Sequence, residues 1–204
     1  MKDESGVIDF YFDFSSPYGY FAATKIDALA KQFQREVAWH SILLGAVFKT
    51  TGAAPLTMVP LKGEYSWRDF ERTARLHGID YNRPPVFPIA SQLVARATLW
   101  IHAAHGRHRA SAFGLAAYRA FFVDGIDISD AGHVLAIAKA QGLDVVAVEI
   151  GMQDADIKLQ LRTGTEAAIA RGVFGSPFFI VDNEPFWGFD RLDQLRYFLQ
   201  HGQI

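Results

Sequence analysis

The sequence predicts an α/β fold whose small sheet-forming unit is split by a large α-helical insertion. Three observations lead there. The chain opens on a strand, helix, strand pattern. It then runs for about a hundred residues on helical periodicity alone. It closes on two short strands around a turn, followed by a helix.

Val7 to Phe14 alternates and is rich in aromatic and β-branched residues, which predicts the first strand, and Ser15, Ser16 and Pro17 end it. Ser16 is a good N-cap and Pro17 suits the first helical position, so a helix follows at once. Tyr20, Phe21, Ile26, Leu29, Ala30 and Phe33 give it one apolar face. Glu36 to Leu44 returns to a strand pattern, and the strand, helix, strand order implies a parallel pair with a right-handed crossover. A Gly-Ala-Ala-Pro loop and a second proline fill Thr50 to Pro60. Helices are predicted over about Ser66 to His77, Ala90 to Ala104, Ser111 to Phe122, Ser129 to Gln141 and Asp154 to Arg171, with no strand pattern before Val145. Asp154 caps the last of these and Gly172 ends it. Phe178 to Val181 reads as a strand, Asp182, Asn183 and Glu184 as a turn, and Pro185 to Trp187 as the return strand. A closing helix runs from Asp190, its N-cap, to about Gln200. Residues 1–50 and 172–204 thus form one unit and residues 51–171 a helical insertion domain.

The whole-chain properties narrow the function. Of 204 residues half are hydrophobic, enough for a sizeable core. A net charge of -2 gives no general electrostatic reason to bind nucleic acid or an anionic membrane. Met1 to Gly6 carries two acids and one lysine and does not resemble a secretory leader, and no apolar run reaches membrane-spanning length. A cytoplasmic protein without a membrane segment is expected. With no cysteine, the chain can form no disulfide, thiolate metal site or cysteine nucleophile. Any sulfur chemistry needs a borrowed thiol. His102, His105 and His108 are spaced by three, but no acid is adjacent and Gly106 interrupts the helix, so a solvated helix end is the expected reading and no metal is predicted.

A β-α-β half followed by a β-β-α half is the thioredoxin arrangement, and several thioredoxin-like families accept a helical insertion between the halves. Four stretches make the likeness specific. They are Tyr-Phe-Asp-Phe-Ser-Ser-Pro-Tyr (residues 11–18), Leu-Leu-Gly-Ala-Val-Phe-Lys-Thr-Thr-Gly (43–52), Gly-Val-Phe-Gly-Ser-Pro (172–177) and Phe-Trp-Gly-Phe-Asp-Arg-Leu (186–192). In this order they resemble the 2-hydroxychromene-2-carboxylate isomerases over nearly the whole chain, and kappa-class glutathione transferases look similar.

The resemblance implies glutathione as the cofactor. Ser16-Pro17-Tyr18-Gly19 stands where redox relatives hold Cys-Pro-x-Cys, so disulfide exchange is ruled out. A hydroxyl at a helix amino terminus can still donate to a thiolate, and the helix dipole favours an anion there. Lowering a thiol from its usual pKa of about 8.5 by roughly two units needs about 2.7 kcal/mol. A dipole contribution of about 0.3 to 2 kcal/mol and a charge-assisted hydrogen bond of about 1.5 to 3 kcal/mol are of that size. Ser16 as a plain N-cap is the competing reading. Ser176-Pro177 precedes the third strand, where relatives keep a cis proline, and by resemblance the Ser176 backbone would pair with the cysteinyl main chain of glutathione. Phe189, Asp190 and Arg191 would hold its γ-glutamyl end, and Asp190 as an N-cap is equally compatible. Lys62 resembles the family lysine that approaches glutathione or an acidic substrate, against an ordinary solvated lysine. Lys49 has weaker support, since it would equally end a strand at the surface.

Two positions depart from the family. Ala53 and Ala90 stand where the pattern has asparagine, so two amide contacts are missing and recognition of the substrate is expected to differ. Aromatic residues at helical spacing, Trp67, Phe70, Phe113, Tyr118, Phe121 and Phe122, read as core, with some able to wall an apolar cleft. The implied function is a glutathione-dependent isomerase acting on a small aromatic or conjugated acid of aromatic degradation, as a homodimer. A kappa-like transferase and a catalytically silent glutathione-binding protein are the alternatives.

Overall fold

The computed structural model describes residues 6–204, so the reading of the amino terminus as leaderless falls, save for Gly6, outside the described residues. Strand β1 (Val7–Phe12) pairs in parallel with β2 (Glu36–Ser41) and antiparallel with β3 (Phe178–Val181), which pairs antiparallel with β4 (Glu184–Trp187). The order is β2-β1-β3-β4. Strand β1 buries Ile8, Phe10 and Phe12 on one face and carries Asp9 and Tyr11 on the other, whereas β3 is buried on both faces from Phe178 to Val181. The β3–β4 hairpin turns on Asp182 and Asn183, at φ 49° and 68°. That is the backbone a two-residue type I′ turn requires. Glu184, predicted in the turn, is therefore the first residue of β4.

The opening helix is two helices. α1 (Pro17–Ala23) and α2 (Ile26–Gln32) are separated at Thr24, whose hydroxyl donates to the Phe21 carbonyl at 2.7 Å while the Lys25 N–H shifts to the Ala22 carbonyl. This side-chain bond competes with the helical ladder. The apolar spacing runs straight through the break, so periodicity alone reads one helix.

Two strand predictions overran. β1 stops at Phe12 rather than Phe14 because Asp13 turns the chain, its carbonyl accepting from Ser16 N–H and its carboxylate from Ser15 N–H. β2 stops at Ser41 rather than Leu44, and an unpredicted helix α3 (Leu44–Thr51) follows, closed by Gly52 at φ 73°. No local residue caps α3. The Leu44 N–H donates to the Asp13 carboxylate at 2.7 Å and the Leu43 N–H to the Thr165 hydroxyl at 3.3 Å, partners far away in sequence.

The insertion holds α4 (Lys62–His77), α5 (Gln92–His105), α6 (Arg107–Phe122), α7 (Ala131–Ala140), α8 (Val145–Gln153) and α9 (Ala155–Ala170). Five were predicted with shifted ends. α8 was not, because Val145, Val146 and Val148 look strand-like; the Asp144 carboxylate accepts from Val146 and Ala147 N–H at 2.9 and 3.2 Å and starts a helix instead. The closing helix α10 (Leu192–His201) begins after a short 3-10 turn at Phe189–Arg191, and Asp190 does not cap it. One aromatic core joins sheet and insertion. Phe10 stacks on Phe179 at 5.3 Å, Phe14 meets Tyr118 at 4.9 Å, and Tyr20 stacks on Phe122 at 5.4 Å. Among the described residues no helix is long and apolar enough to cross a membrane.

Asp13 is 3% exposed and holds both the loop before α1 and the start of α3. Asp13→Ala orphans the Ser15 and Leu44 N–H groups, each worth about 1 to 3 kcal/mol when buried without a partner. Hydrogen-exchange protection at Leu44 is expected to fall by about tenfold or more. Unchanged protection would show that α3 starts without this cap.

Candidate functional site

The end of β1, the start of α1 and the loop before β3 meet at two serines. The Ser16 hydroxyl accepts from the Gly19 N–H at 3.0 Å, as a helix cap does, and donates to the Ser176 carbonyl at 3.0 Å. The Ser176 hydroxyl in turn accepts from the Asp13 N–H at 3.1 Å, and the Asp13 carbonyl accepts from the Tyr118 hydroxyl at 2.9 Å. Burial pushes the Asp13 carboxyl above its ordinary value, against the lowering hydrogen bonds from Ser15 and Leu44. The Ser176–Pro177 peptide is cis, and so is Phe87–Pro88.

Gly19 occupies the point where redox relatives carry their second cysteine. A Cβ there would lie 2.8 Å from the Tyr118 hydroxyl and 2.9 Å from the Ser176 hydroxyl. Tyr118 is fully buried and already bonded, so neither neighbour gives way freely.

Ser16 opens onto a chamber of about 400 Å³. Ser15 and Ser16 line it from the loop before α1, Pro17 and Tyr18 from α1, Gly175 and Ser176 from the loop before β3, and Trp187 from β4. Leu44, Phe48 and Thr51 of α3 and the segment Ala53 to Thr57 form another wall, with Phe70, Phe87, Pro88 and Phe174 completing it. Phe174 packs against Trp187 at 4.8 Å.

Four of the nine predicted site residues therefore meet in the chamber: Ser16, Pro17, Tyr18 and Ser176. Pro177, Lys62, Phe189, Asp190 and Arg191 do not line it. Pro177 is buried, and its carbonyl accepts from the Gly188 N–H at 3.0 Å, which ties the segment before α10 to the site. Phe189 is buried against Phe21 and His77, so its side chain belongs to the core. Asp190 and Arg191 are exposed and paired with each other at 3.5 Å. Lys62 is exposed at the start of α4, and Lys49 is exposed on α3 rather than at a strand end. Of the two departures, Ala53 lines the chamber and Ala90 is exposed away from it. His102, His105 and His108 are all exposed.

Sequence reasoning missed most of the wall. Phe70 was the one helical aromatic of the expected set that reaches the chamber. Leu44 and Phe48 come from a helix not predicted and Phe87 and Phe174 from loops, where periodicity carries no signal, while Trp187 ends the short edge strand β4. Asp69 was missed as well. Its carboxylate accepts from the Tyr18 hydroxyl and from Arg72, and lies 3.4 Å from the Tyr65 hydroxyl. Burial pushes the Tyr18 phenol far up, and its bond to Asp69 adds to this. Burial would raise Asp69 too, but the bonds from Tyr18 and Arg72 outweigh it and hold that carboxyl below its usual range.

Comparison with known proteins agrees with this architecture. A family model described as a DSBA-like thioredoxin domain matches residues 7–200. A 2-hydroxychromene-2-carboxylate isomerase of Sphingobium xenophagum is 32% identical over 195 residues, covering 94% of this chain and 97% of that protein. Glutathione S-transferase kappa 1 of Caenorhabditis elegans is 37% identical over 81 residues, 39% of this chain and 36% of that protein. A solved structure of 2-hydroxychromene-2-carboxylate isomerase superposes with a TM-score of 0.85 at 27% identity, covering 95% of this chain and 94% of the other.

The Tyr18 to Asp69 bond fastens α4 to α1 across the chamber. A hydrogen bond to a charged group is worth about 1.5 to 3 kcal/mol, and partial exposure of the pair reduces that to about 1 kcal/mol. Tyr18→Phe and Asp69→Asn should each cost about this much, and the double variant no more than one of them, in a urea-unfolding cycle at neutral pH. Because Asp69 is held low, this stabilisation is present above about pH 4, its unfolded value, and is lost as pH falls through the lower folded value. Additive losses would show that the two side chains act independently.

Proposed function

The chain belongs to the DsbA-like thioredoxin domain family, among the 2-hydroxychromene-2-carboxylate isomerases, and from that premise we propose that it is a glutathione-dependent isomerase whose Ser16 hydroxyl stabilises the glutathione thiolate. The observation that carries this reading is the hydroxyl of buried Ser16 at the start of α1, lining a chamber of about 400 Å³ in a chain with no cysteine of its own. Glutathione is supported by the kappa-class glutathione transferases among the relatives of this chain.

The Ser16 hydroxyl has one proton, and without ligand it goes to the Ser176 carbonyl. When glutathione binds, its cysteinyl N–H donates to that carbonyl in the manner of an added strand, and the Ser16 proton turns to the sulfur. The Gly19 N–H remains bonded to Ser16 and polarises it further. By resemblance the peptide ends fall to Asp190, Arg191 and Lys62, which are exposed and do not line the chamber.

The chemistry then balances without a redox step. The thiol proton leaves to water, and the thiolate forms a C–S bond to the β-carbon of a conjugated carbonyl compound while the double-bond pair moves onto the carbonyl. Rotation about the new single bond follows. Return of the pair expels the thiolate and restores the double bond in the other geometry, with glutathione unchanged. Where the carbanion is protonated instead, the adduct persists, and the same site performs a kappa-like transferase reaction. This reading carries with it a cytoplasmic location and a homodimer, both by resemblance.

Ser16→Ala is expected to lower turnover much more than glutathione affinity. Loss of about 1.5 to 3 kcal/mol of thiolate stabilisation raises the pKa of the bound thiol by roughly one to two units, read from thiolate ultraviolet absorbance against pH. Ser16→Cys should not rescue turnover, since a second thiol forms a mixed disulfide rather than a neutral donor. An unchanged midpoint with full turnover in Ser16→Ala would reduce the serine to a helix cap.

A further inference from the structure

The chamber wall beside Ser16 carries no charge. Among the described residues none of those lining it is Asp, Glu, Lys, Arg or His; large apolar side chains such as Leu44, Phe48, Phe70, Phe87, Phe174 and Trp187 dominate. Where lining residues bond to a charged side chain behind the wall, that side chain is a carboxylate: Ser15 and Leu44 donate to Asp13, and Tyr18 to Asp69. The lysines and arginines of the bordering helices, Lys49 on α3 and Lys62, Arg68, Arg72 and Arg75 on α4, are exposed and do not line the chamber.

A carboxylate entering this space gives up its water and finds no cation, and an unpaired buried ion is far costlier than a neutral polar group with one hydrogen bond. A neutral carbonyl faces no such penalty. The wall offers hydroxyls, of which Thr57 Oγ1 is buried without a partner. The size suits one or two rings. Ala53 also lines the chamber and brings no polar side chain to it.

We propose that the co-substrate of this protein is an uncharged, flat, conjugated compound, and that the charge-free wall selects it over carboxylic acids. The proposal rests on reading the chamber as the co-substrate site beside a bound thiol. It sets this chain apart from relatives named for a carboxylate.

The test is a calorimetric comparison of methyl cinnamate with cinnamate, which share one skeleton and differ in charge, on the full-length protein. The ester is expected to bind at least about tenfold tighter. Ala53→Lys adds a cation in an exposed loop, where the fold tolerates it, and should narrow the ratio by about threefold or more. Equal or tighter binding of cinnamate by the wild type, binding of neither compound, or an unchanged ratio in Ala53→Lys would overturn the proposal. Glutathione is titrated separately: its failure to bind would sink the proposed function while leaving an ester preference standing.

Discussion

One hydrogen bond, from the Ser16 hydroxyl to the Ser176 carbonyl, joins residues 160 apart in sequence and sets the geometry on which the site depends. Around it Asp13 acts from every one of its polar groups. Its N–H donates to the Ser176 hydroxyl, its carbonyl accepts from Tyr118 of the insertion, and its carboxylate accepts from Ser15 and from Leu44 at the start of α3. The sheet unit and the insertion are therefore fastened at the same residue that positions the candidate reactive hydroxyl. A buried carboxylate with that many donors is costly to move, and this rigidity keeps Ser16 aimed at the chamber.

The arrangement divides labour by polarity. Ser16 opens onto an uncharged chamber, and the exposed residues Asp190, Arg191 and Lys62 do not line it. Gly19 enforces the absence of a second reactive group there, since the Tyr118 and Ser176 hydroxyls fill the space a side chain would need. With no cysteine in the chain, the site can form no disulfide of its own.

The fold was largely readable from the sequence wherever the determining contacts are local. Ser16-Pro17 marks the start of α1, Asp154 caps α9, and Asp182-Asn183 supplies the left-handed turn of the β3–β4 hairpin. It failed where the partner is distant. α3 is capped by Asp13 and tied to Thr165, contacts with no trace in the neighbouring residues. The break at Thr24 comes from one hydroxyl turning back on the helix while the apolar spacing continues. At the site, motifs identify Ser16, Tyr18 and Ser176, but the walls come from Phe48, Phe87, Phe174 and Trp187, which different parts of the chain bring together only on folding. Phe189 illustrates the converse: it lies within a motif, yet its ring is spent on the core against Phe21.

The account stands on where a thiol settles and what the Ser16 proton then does. A crystal structure of the glutathione complex measures both. The sulfur is expected within hydrogen-bond reach of the Ser16 oxygen, with the Ser176 carbonyl taken over by the cysteinyl N–H and the apolar chamber left open beside it. A sulfur bound elsewhere, with the Ser16 to Ser176 bond intact, would contradict it.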